Sequence, residues 1–192
     1  LAFAAAGRAG CASVAVSNFS WDWIYQHLAA REPGLAEAAA HSRQAYAHAD
    51  LLLRLPFAGD LGAFARIEDL PLVARRPRVS REEVRKRLGL AEGPTVLVSF
   101  GGVGLPGARL EAYGALSGYR FLVTGSFGDG RPPPNVRHLT AGELEDAGLD
   151  YPEEVGAVDV VVTKPGYGIV TDCIGAASTS RSSRKSLRSM SP

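Results

Sequence analysis

Short apolar runs that lead into turns and then helical segments limit this chain to the alternating α/β folds. Three such runs lie in the second half of the sequence, at residues 95–100, 120–124 and 158–163. A mostly apolar run of this length is typical of a strand buried on both faces of a parallel sheet. Strands that alternate with helices therefore predict a doubly wound α/β domain.

The first half of the sequence shows the same alternation. Residues 1–8 are rich in alanine and predict a helix, and residues 12–16 predict a short buried strand. Two further helices, at 24–30 and 34–48, precede another apolar run at 51–55. We therefore expect an α/β unit in this half as well.

A connection between two domains is predicted at residues 70–79, which mix prolines with basic side chains. We place the boundary after residue 76, so that residues 1–76 form one incomplete domain and residues 77–177 another. Ser80, which two glutamates follow closely, is expected to cap the first helix of the second domain. Residues 178–192 are rich in Ser and Arg and predict a disordered tail, either a natural basic one or an artefactual end.

Composition excludes several classes of function. The 21 Lys and Arg nearly equal the 20 Asp and Glu, which argues against a nonspecific nucleic-acid binder. Two distant cysteines, Cys11 and Cys173, favour a reducing, cytoplasmic location. The apolar residues 1–6 are too few for a membrane span, and no His or carboxylate set has zinc-ligand spacing.

Ligands of open parallel sheets bind beyond the carboxyl ends of the strands, so the loops there are the first candidates for a site. Of three such loops (99–104, 125–128 and 163–168), the third is the most informative, because glycines let the backbone approach a phosphate at a helix N-terminus. Lys164 adds a positive charge, and Asp172 is suited to accept hydrogen bonds from ribose hydroxyls. Alternatively, the glycines only shape a turn and Asp172 serves only the helix dipole.

Two other segments are open to more than one interpretation. The loop at Gly101 and Gly102 fits neither the ATP phosphate loop nor the dinucleotide fingerprint, so a bare turn and a ligand loop are both compatible with it. Asn18, Trp21 and Asp22 belong to an aromatic segment suited to stacking on sugar rings. The alternative for that segment is a hydrophobic core with a polar cap.

Motifs at residues 16–25, 53–56, 71–76, 80–85, 99–102 and 164–168 follow one another along the chain. This ordered series resembles a family of glycosyltransferase-like proteins found alone in bacteria and as the N-terminal half of plant L-arabinokinase. That family is similar in turn to transferases that move N-acetylglucosamine from UDP, including the peptidoglycan enzyme acting on lipid I. The resemblance covers roughly residues 1–177.

The resemblance implies a GT-B fold, with two Rossmann-like doubly wound parallel-sheet domains, both incomplete here. The protein would bind a UDP-sugar in the C-terminal domain and transfer the sugar to an unknown acceptor, with neither cofactor nor metal. The alternative is a noncatalytic nucleotide-sugar or sugar-binding module. The family's early Gly/His-rich loop and its late acidic donor motif are missing, so we expect truncation at both ends and no catalysis by this fragment.

The resemblance also assigns roles to individual residues. The turn at Gly166 to Gly168 would cradle the diphosphate, and Asp172 would take the ribose-binding position, where these enzymes usually have Glu. No catalytic base is assigned. The predicted donor-binding residues are Gly101, Gly102, Gly125, Ser126, Lys164, Gly166, Tyr167, Gly168, Thr171 and Asp172, and the predicted acceptor-side residues are Asn18, Trp21 and Asp22.

Overall fold

The computed structural model describes residues 2–90, 92–101, 110–125 and 131–188, with side chains as far as residue 177. The chain divides into two compact units, Leu1–Val73 and Ala74–Pro192. The division falls inside the stretch 70–79, whose prolines and arginines predicted a connection.

The first unit is a parallel sheet of three strands with helices between them. Its strands lie in the order β1-β2-β3, and Leu52 at the centre of the sheet is fully buried beside Leu61 and Phe64. The elements in chain order are α1 (Ala2–Arg8), β1 (Val14–Ser17), α2 (Trp21–Leu28), α3 (Leu35–Tyr46), β2 (Leu51–Arg54) and β3 (Ile67–Asp69).

Strand β1 departs from the sequence prediction in its burial. The strand forms close to the predicted place, but Val14 and Val16 are each more than half exposed. Val14 and Val16 alternate with the half-buried Ala15 and Ser17, so one face of this strand, which pairs with β2 alone in the described sheet, lacks a covering layer. The prediction of a buried strand at 12–16 was therefore wrong about burial and right about the strand.

The second unit is a parallel sheet of four strands with an apolar cluster on each face. Its strands lie in the order β6-β5-β4-β7, and alternate residues of β4 and β5 enter two separate apolar clusters. Leu97 and Leu122 point to one face, whereas Val98 and Val123 point to the other. Its elements are α4 (Arg81–Arg87), β4 (Thr95–Ser99), α5 (Glu111–Gly114), β5 (Arg120–Thr124), β6 (Val136–His138), α6 (Ala141–Asp146), α7 (Tyr151–Ala157), β7 (Val160–Val162) and α8 (Tyr167–Arg188).

Side-chain caps explain where the short helices of this unit begin. The Ser80 hydroxyl accepts a hydrogen bond from the Glu83 N–H, as the sequence predicted for the start of α4. A capping box joins Thr140 to Glu143 at α6, and another joins Asp150 to Glu153 at α7. These caps satisfy backbone donors that the first helical turn leaves without partners.

Two features at the end of the unit differ from expectation. Val160 and Val162 of β7 are 50% and 43% exposed, because β7 lies at one end of the described strand order and is not buried on both faces. Helix α8 continues to Arg188, so residues 178–188 are helical where we expected a disordered tail. No proline or glycine occurs between Gly175 and Arg188, and Arg and Lys favour helix, so α8 meets no residue that would stop it.

Candidate functional site

A cleft of about 1150 Å³ opens at the carboxyl ends of the four strands of the second unit. Residues at the end of each strand, or directly after it, line the cleft: Ser99 for β4, Thr124 for β5, His138 for β6 and Thr163 for β7. Since the strands are parallel, all four ends meet at one edge of the sheet. This edge is where open α/β sheets bind their ligands.

The strand order places a topological switch point in this cleft. The chain runs from β4 outward to β5 and β6, and then returns to the other side of β4 to form β7. The crevice between β4 and β7 is therefore the position where connections diverge to opposite sides of the sheet. Gly101 follows β4 with φ 77° and Gly125 follows β5 with φ 85°, a backbone conformation that favours glycine.

Helix α8 starts at the same edge, directly after β7. Lys164 is exposed in the loop between them, and Gly166 and Gly168 line the cleft. The first-turn N–H groups of a helix have no acceptor within that helix, and the helix dipole makes this end positive. A phosphate at this end of the cleft would meet backbone donors and a lysine together.

Asp172 lies one turn further along α8 and is 2% exposed. Its carboxylate accepts two hydrogen bonds from Arg75, with Nη2 to Oδ2 at 2.5 Å and Nε to Oδ1 at 3.2 Å. The bidentate hydrogen bonds with Asp172 raise the pKa of Arg75 above its ordinary value. Both residues line the cleft, and the Arg75 guanidinium also lies 5.9 Å from the centre of the Tyr151 ring.

Hydrogen bonds connect the hydroxyl groups of three residues that line the cleft. Tyr151 donates to the Ser99 Oγ at 2.8 Å, and the Thr124 hydroxyl donates to the same atom at 2.9 Å. Burial raises the pKa of Tyr151 and outweighs the opposing effect of the Ser99 hydrogen bond. These two hydrogen bonds fix the ends of β4 and β5 relative to α7.

Two adjacent glutamates on α7, Glu153 and Glu154, are both fully buried but differ in their hydrogen bonding. Burial opposes ionisation of Glu153, but the N–H groups of Arg78 and Asp150 donate to it at 2.7 and 3.1 Å and lower its pKa. Neither carboxyl oxygen of Glu154 has a hydrogen-bond partner among the described residues. Burial alone raises the pKa of Glu154 to about 8, and this side chain lines the cleft.

The cleft brings together most of the predicted donor-binding residues. Tyr167 and Thr171 do not line it, and the Thr171 hydroxyl instead donates to the Gly168 carbonyl at 2.9 Å. Gly102 and Ser126 lie outside the described residues. The predicted residues that do line the cleft are Gly101, Gly125, Lys164, Gly166, Gly168 and Asp172.

Arg75, Tyr151 and Glu154 are among the cleft residues that sequence reasoning missed. Arg75 belongs to the predicted connection, and Tyr151 and Glu154 belong to a helix that the apolar pattern did not reveal. One signal for that helix was available, because Asp150 three residues before Glu153 is a capping-box spacing with a proline between them. No local signal paired Arg75 with Asp172, which lies 97 residues away.

The predicted acceptor-side residues lie at the end of β1 and the start of α2 in the first unit. Trp21 is 48% exposed and stacks on Tyr25 with ring centres 5.4 Å apart, so the alternative of a buried aromatic core was wrong there. Asn18 is half-buried in the connecting loop. Asp22 is buried and pairs with Arg43 at 3.3 Å, a contact that joins α2 to α3.

Neither a metal-binding cluster nor a membrane-spanning helix is found among the described residues. They hold no group of three or more His, Cys, Asp or Glu side chains arranged to bind a metal ion. Within them, no helix has the length and apolar character needed to cross a membrane.

The parallel sheets, their connecting helices and the switch-point cleft are those of a Rossmann-like α/β protein. The chain is 36% identical over 178 residues to the L-arabinokinase of Arabidopsis thaliana, and is related to that protein. The alignment covers 88% of this chain but 16% of the plant protein, so the chain spans a small part of its relative's length. No protein-family model and no solved structure matches the chain.

Proposed function

We propose that the cleft of the second unit binds a UDP-sugar, and that the full-length protein is a GT-B glycosyltransferase acting on an unknown acceptor. The observation that carries the proposal is the meeting of four strand ends, the α8 N-terminus and Lys164 in one cleft. The volume, about 1150 Å³, is slightly above the roughly 300–1,000 Å³ of common ligand pockets. A nucleotide sugar is a ligand of suitable size.

The diphosphate is assigned to the end of the cleft formed by α8. There the first helical turn and Lys164 supply positive charge, and Gly166 lets a ligand approach the backbone, since a Cβ on it would meet nothing within 4 Å. These groups would stabilise the UDP leaving group without a metal, because charge develops on the diphosphate as the sugar departs.

The nucleoside is assigned to the part of the cleft lined by Asp172 and by apolar side chains such as Leu139 and Leu149. Arg75 donates one hydrogen bond to each oxygen of the Asp172 carboxylate. Each oxygen has a second lone pair, which can accept a hydrogen bond from a ribose hydroxyl.

The acceptor is assigned to Asn18 and Trp21 of the first unit. The exposed Trp21 ring offers the aromatic face that sugars commonly stack against. Asp22 is a weaker candidate than the sequence implied, because its ion pair with Arg43 already gives it a structural role.

A second candidate is a nucleotide-sugar-binding module without transferase activity. The relationship to a plant protein named L-arabinokinase favours it, because that name describes another activity and the matched segment is 16% of that protein. Both candidates share the cleft and its ligand, and they differ in whether the sugar is transferred.

The test is calorimetric titration of the chain with UDP, with ADP as the competing nucleotide. We expect UDP to bind and Lys164→Ala to weaken binding about 10-fold or more, the loss expected for one charge-assisted hydrogen bond. Lys86→Ala is the matched control, because it removes the same charge from an exposed position outside the cleft. Absence of UDP binding, or equal binding by the two lysine variants, would contradict the proposal.

The two candidates are then separated in the full-length protein by release of UDP from UDP-sugars in the presence of sugar acceptors. Acceptor-dependent release supports the transferase, whereas binding without release supports the module.

A further inference from the structure

One buried acidic residue of the cleft, Glu154, takes no part in the contacts assigned to the phosphate and the ribose. Glu154 is fully buried on α7 and lines the cleft, yet both of its carboxyl oxygens lack hydrogen-bond partners among the described residues. Burying a polar group without a partner costs folding free energy, so such groups are rare in native proteins. Because Glu154 belongs to the lining of the cleft, a partner for its carboxyl group can come from a ligand bound there.

The neighbouring Glu153 shows that burial on α7 does not by itself prevent hydrogen bonding. Its carboxylate accepts hydrogen bonds from the backbone N–H groups of Arg78 and Asp150, and Glu153 itself is not among the residues that line the cleft. Successive helical residues point about 100° apart, so the two carboxyl groups meet different surroundings. The partners of Glu153 lie within the fold, and the cleft adjoins Glu154.

Two other polar groups that line the cleft already have partners. The Tyr151 hydroxyl donates to Ser99, and the Arg75 guanidinium is bound to Asp172. Burial keeps the Glu154 pKa at about 8, so at neutral pH the group is mostly a neutral carboxylic acid. In that state it presents one O–H donor beside one acceptor oxygen.

We propose that Glu154 is a ligand-binding residue of this cleft, whose carboxyl group exchanges two hydrogen bonds with a neutral donor–acceptor pair on the nucleotide sugar. The inference rests on the proposed function and deepens it. Such pairs occur on the imide edge of uracil, with its N–H beside a carbonyl, and on neighbouring hydroxyls of the sugar. Leu139 and Leu149 line the same cleft and would limit competition from water.

The test compares two Glu154 variants of the full chain by calorimetric titration with UDP and with UDP-glucose. Glu154→Gln keeps one donor and one acceptor, and we expect its affinity to stay within about 3-fold of the wild type. Glu154→Leu removes both, and we expect about 10-fold or greater weakening from the loss of two hydrogen bonds. Glu82→Leu, an exposed position outside the cleft, is the matched control.

Thermal unfolding without ligand separates a binding role from a structural one. Because Leu replaces an unpartnered buried acid, Glu154→Leu should be at least as stable as the wild type while binding more weakly. Weakening with UDP would assign the contact to the uridine part, and weakening with UDP-glucose alone would assign it to the sugar.

Three results would overturn the inference. Unchanged affinity of Glu154→Leu for both ligands would overturn it and leave the proposed function intact. Equal weakening by Gln and Leu would show that the ionised carboxylate is needed, contrary to a neutral pair. Binding of neither ligand by the wild type would overturn the proposed function and the inference with it.

Discussion

The two glutamates of α7 show how strongly the immediate surroundings of one residue control its chemistry. Glu153 and Glu154 are adjacent and fully buried, but only Glu153 receives backbone hydrogen bonds, and their pKa values move in opposite directions. Sequence alone could not reveal this difference, because it depends on which side of a seven-residue helix faces the connection and which faces the cleft. The residue that is chemically most unusual was therefore absent from the sequence prediction.

The raised pKa of Glu154 predicts a pH-dependent stability that Glu154→Gln should lack. Above about pH 4.5 the unfolded chain releases this proton, whereas the folded protein keeps it until about pH 8. The folded state thus binds more protons in this window, so its stability falls as pH rises and levels off above pH 8. The loss by neutral pH is on the order of 3 kcal/mol, at about 1.4 kcal/mol per pKa unit.

Urea unfolding of both proteins at several values between pH 4.5 and 8.5 checks this prediction. Other titratable groups of the cleft, including Tyr151, Asp172 and His138, are present in both proteins and largely cancel in the difference. A constant difference between the two unfolding free energies over the whole range would contradict the prediction.

At the scale of elements, close packing of α8 on the chain around Arg75 holds the Arg75–Asp172 pair in the cleft. A Cβ added to Gly175 would lie 2.4 Å from the Arg75 carbonyl oxygen, which is shorter than the van der Waals contact distance between two such atoms. Gly156 on α7 makes a similar approach, with a Cβ position 2.9 Å from Pro77 Cγ. These glycines allow the connecting segment to lie directly against both helices.

Gly175→Ala should therefore destabilise the protein by about 1–3 kcal/mol, because the backbone must move to accommodate the methyl group. The sign is informative, since alanine otherwise stabilises a helix relative to glycine by about 1 kcal/mol. Gly168→Ala is the matched control in the same helix, where a Cβ meets nothing within 4 Å, and it should be neutral or slightly stabilising. Chemical denaturation measures both, and equal effects of the two substitutions would contradict this account of α8 packing.

The elements predicted well were those with a strong local signal. The apolar run 120–124 coincides with β5, and the serine cap correctly located the start of α4. Strands β3 and β6 were missed because each has three residues, two of them charged or imidazole side chains, too few for an apolar pattern. The disordered tail predicted from composition was also wrong as far as residue 188, because this Ser- and Arg-rich segment continues helix α8, which begins upstream.

At the scale of the whole molecule, the loops at the strand ends could be predicted, but not the cleft that they form. Order along the chain located the loops at Gly101, Gly125 and Lys164, because each follows an apolar run. Which loops become neighbours depends on the strand order β6-β5-β4-β7 and on contacts such as Arg75 with Asp172 across 97 residues. Such long-range pairing cannot be predicted from local sequence patterns.

We propose that a nucleotide sugar binds at the carboxyl edge of the second unit's sheet. The most direct measurement is a UDP titration of the ¹⁵N-labelled chain followed by two-dimensional NMR. We predict saturable shifts of amide signals at Gly101, Gly125, Gly166 and Gly168, with little change at exposed sites far along the chain such as Gly34. No saturable shifts, or shifts confined to the first unit, would contradict the claim.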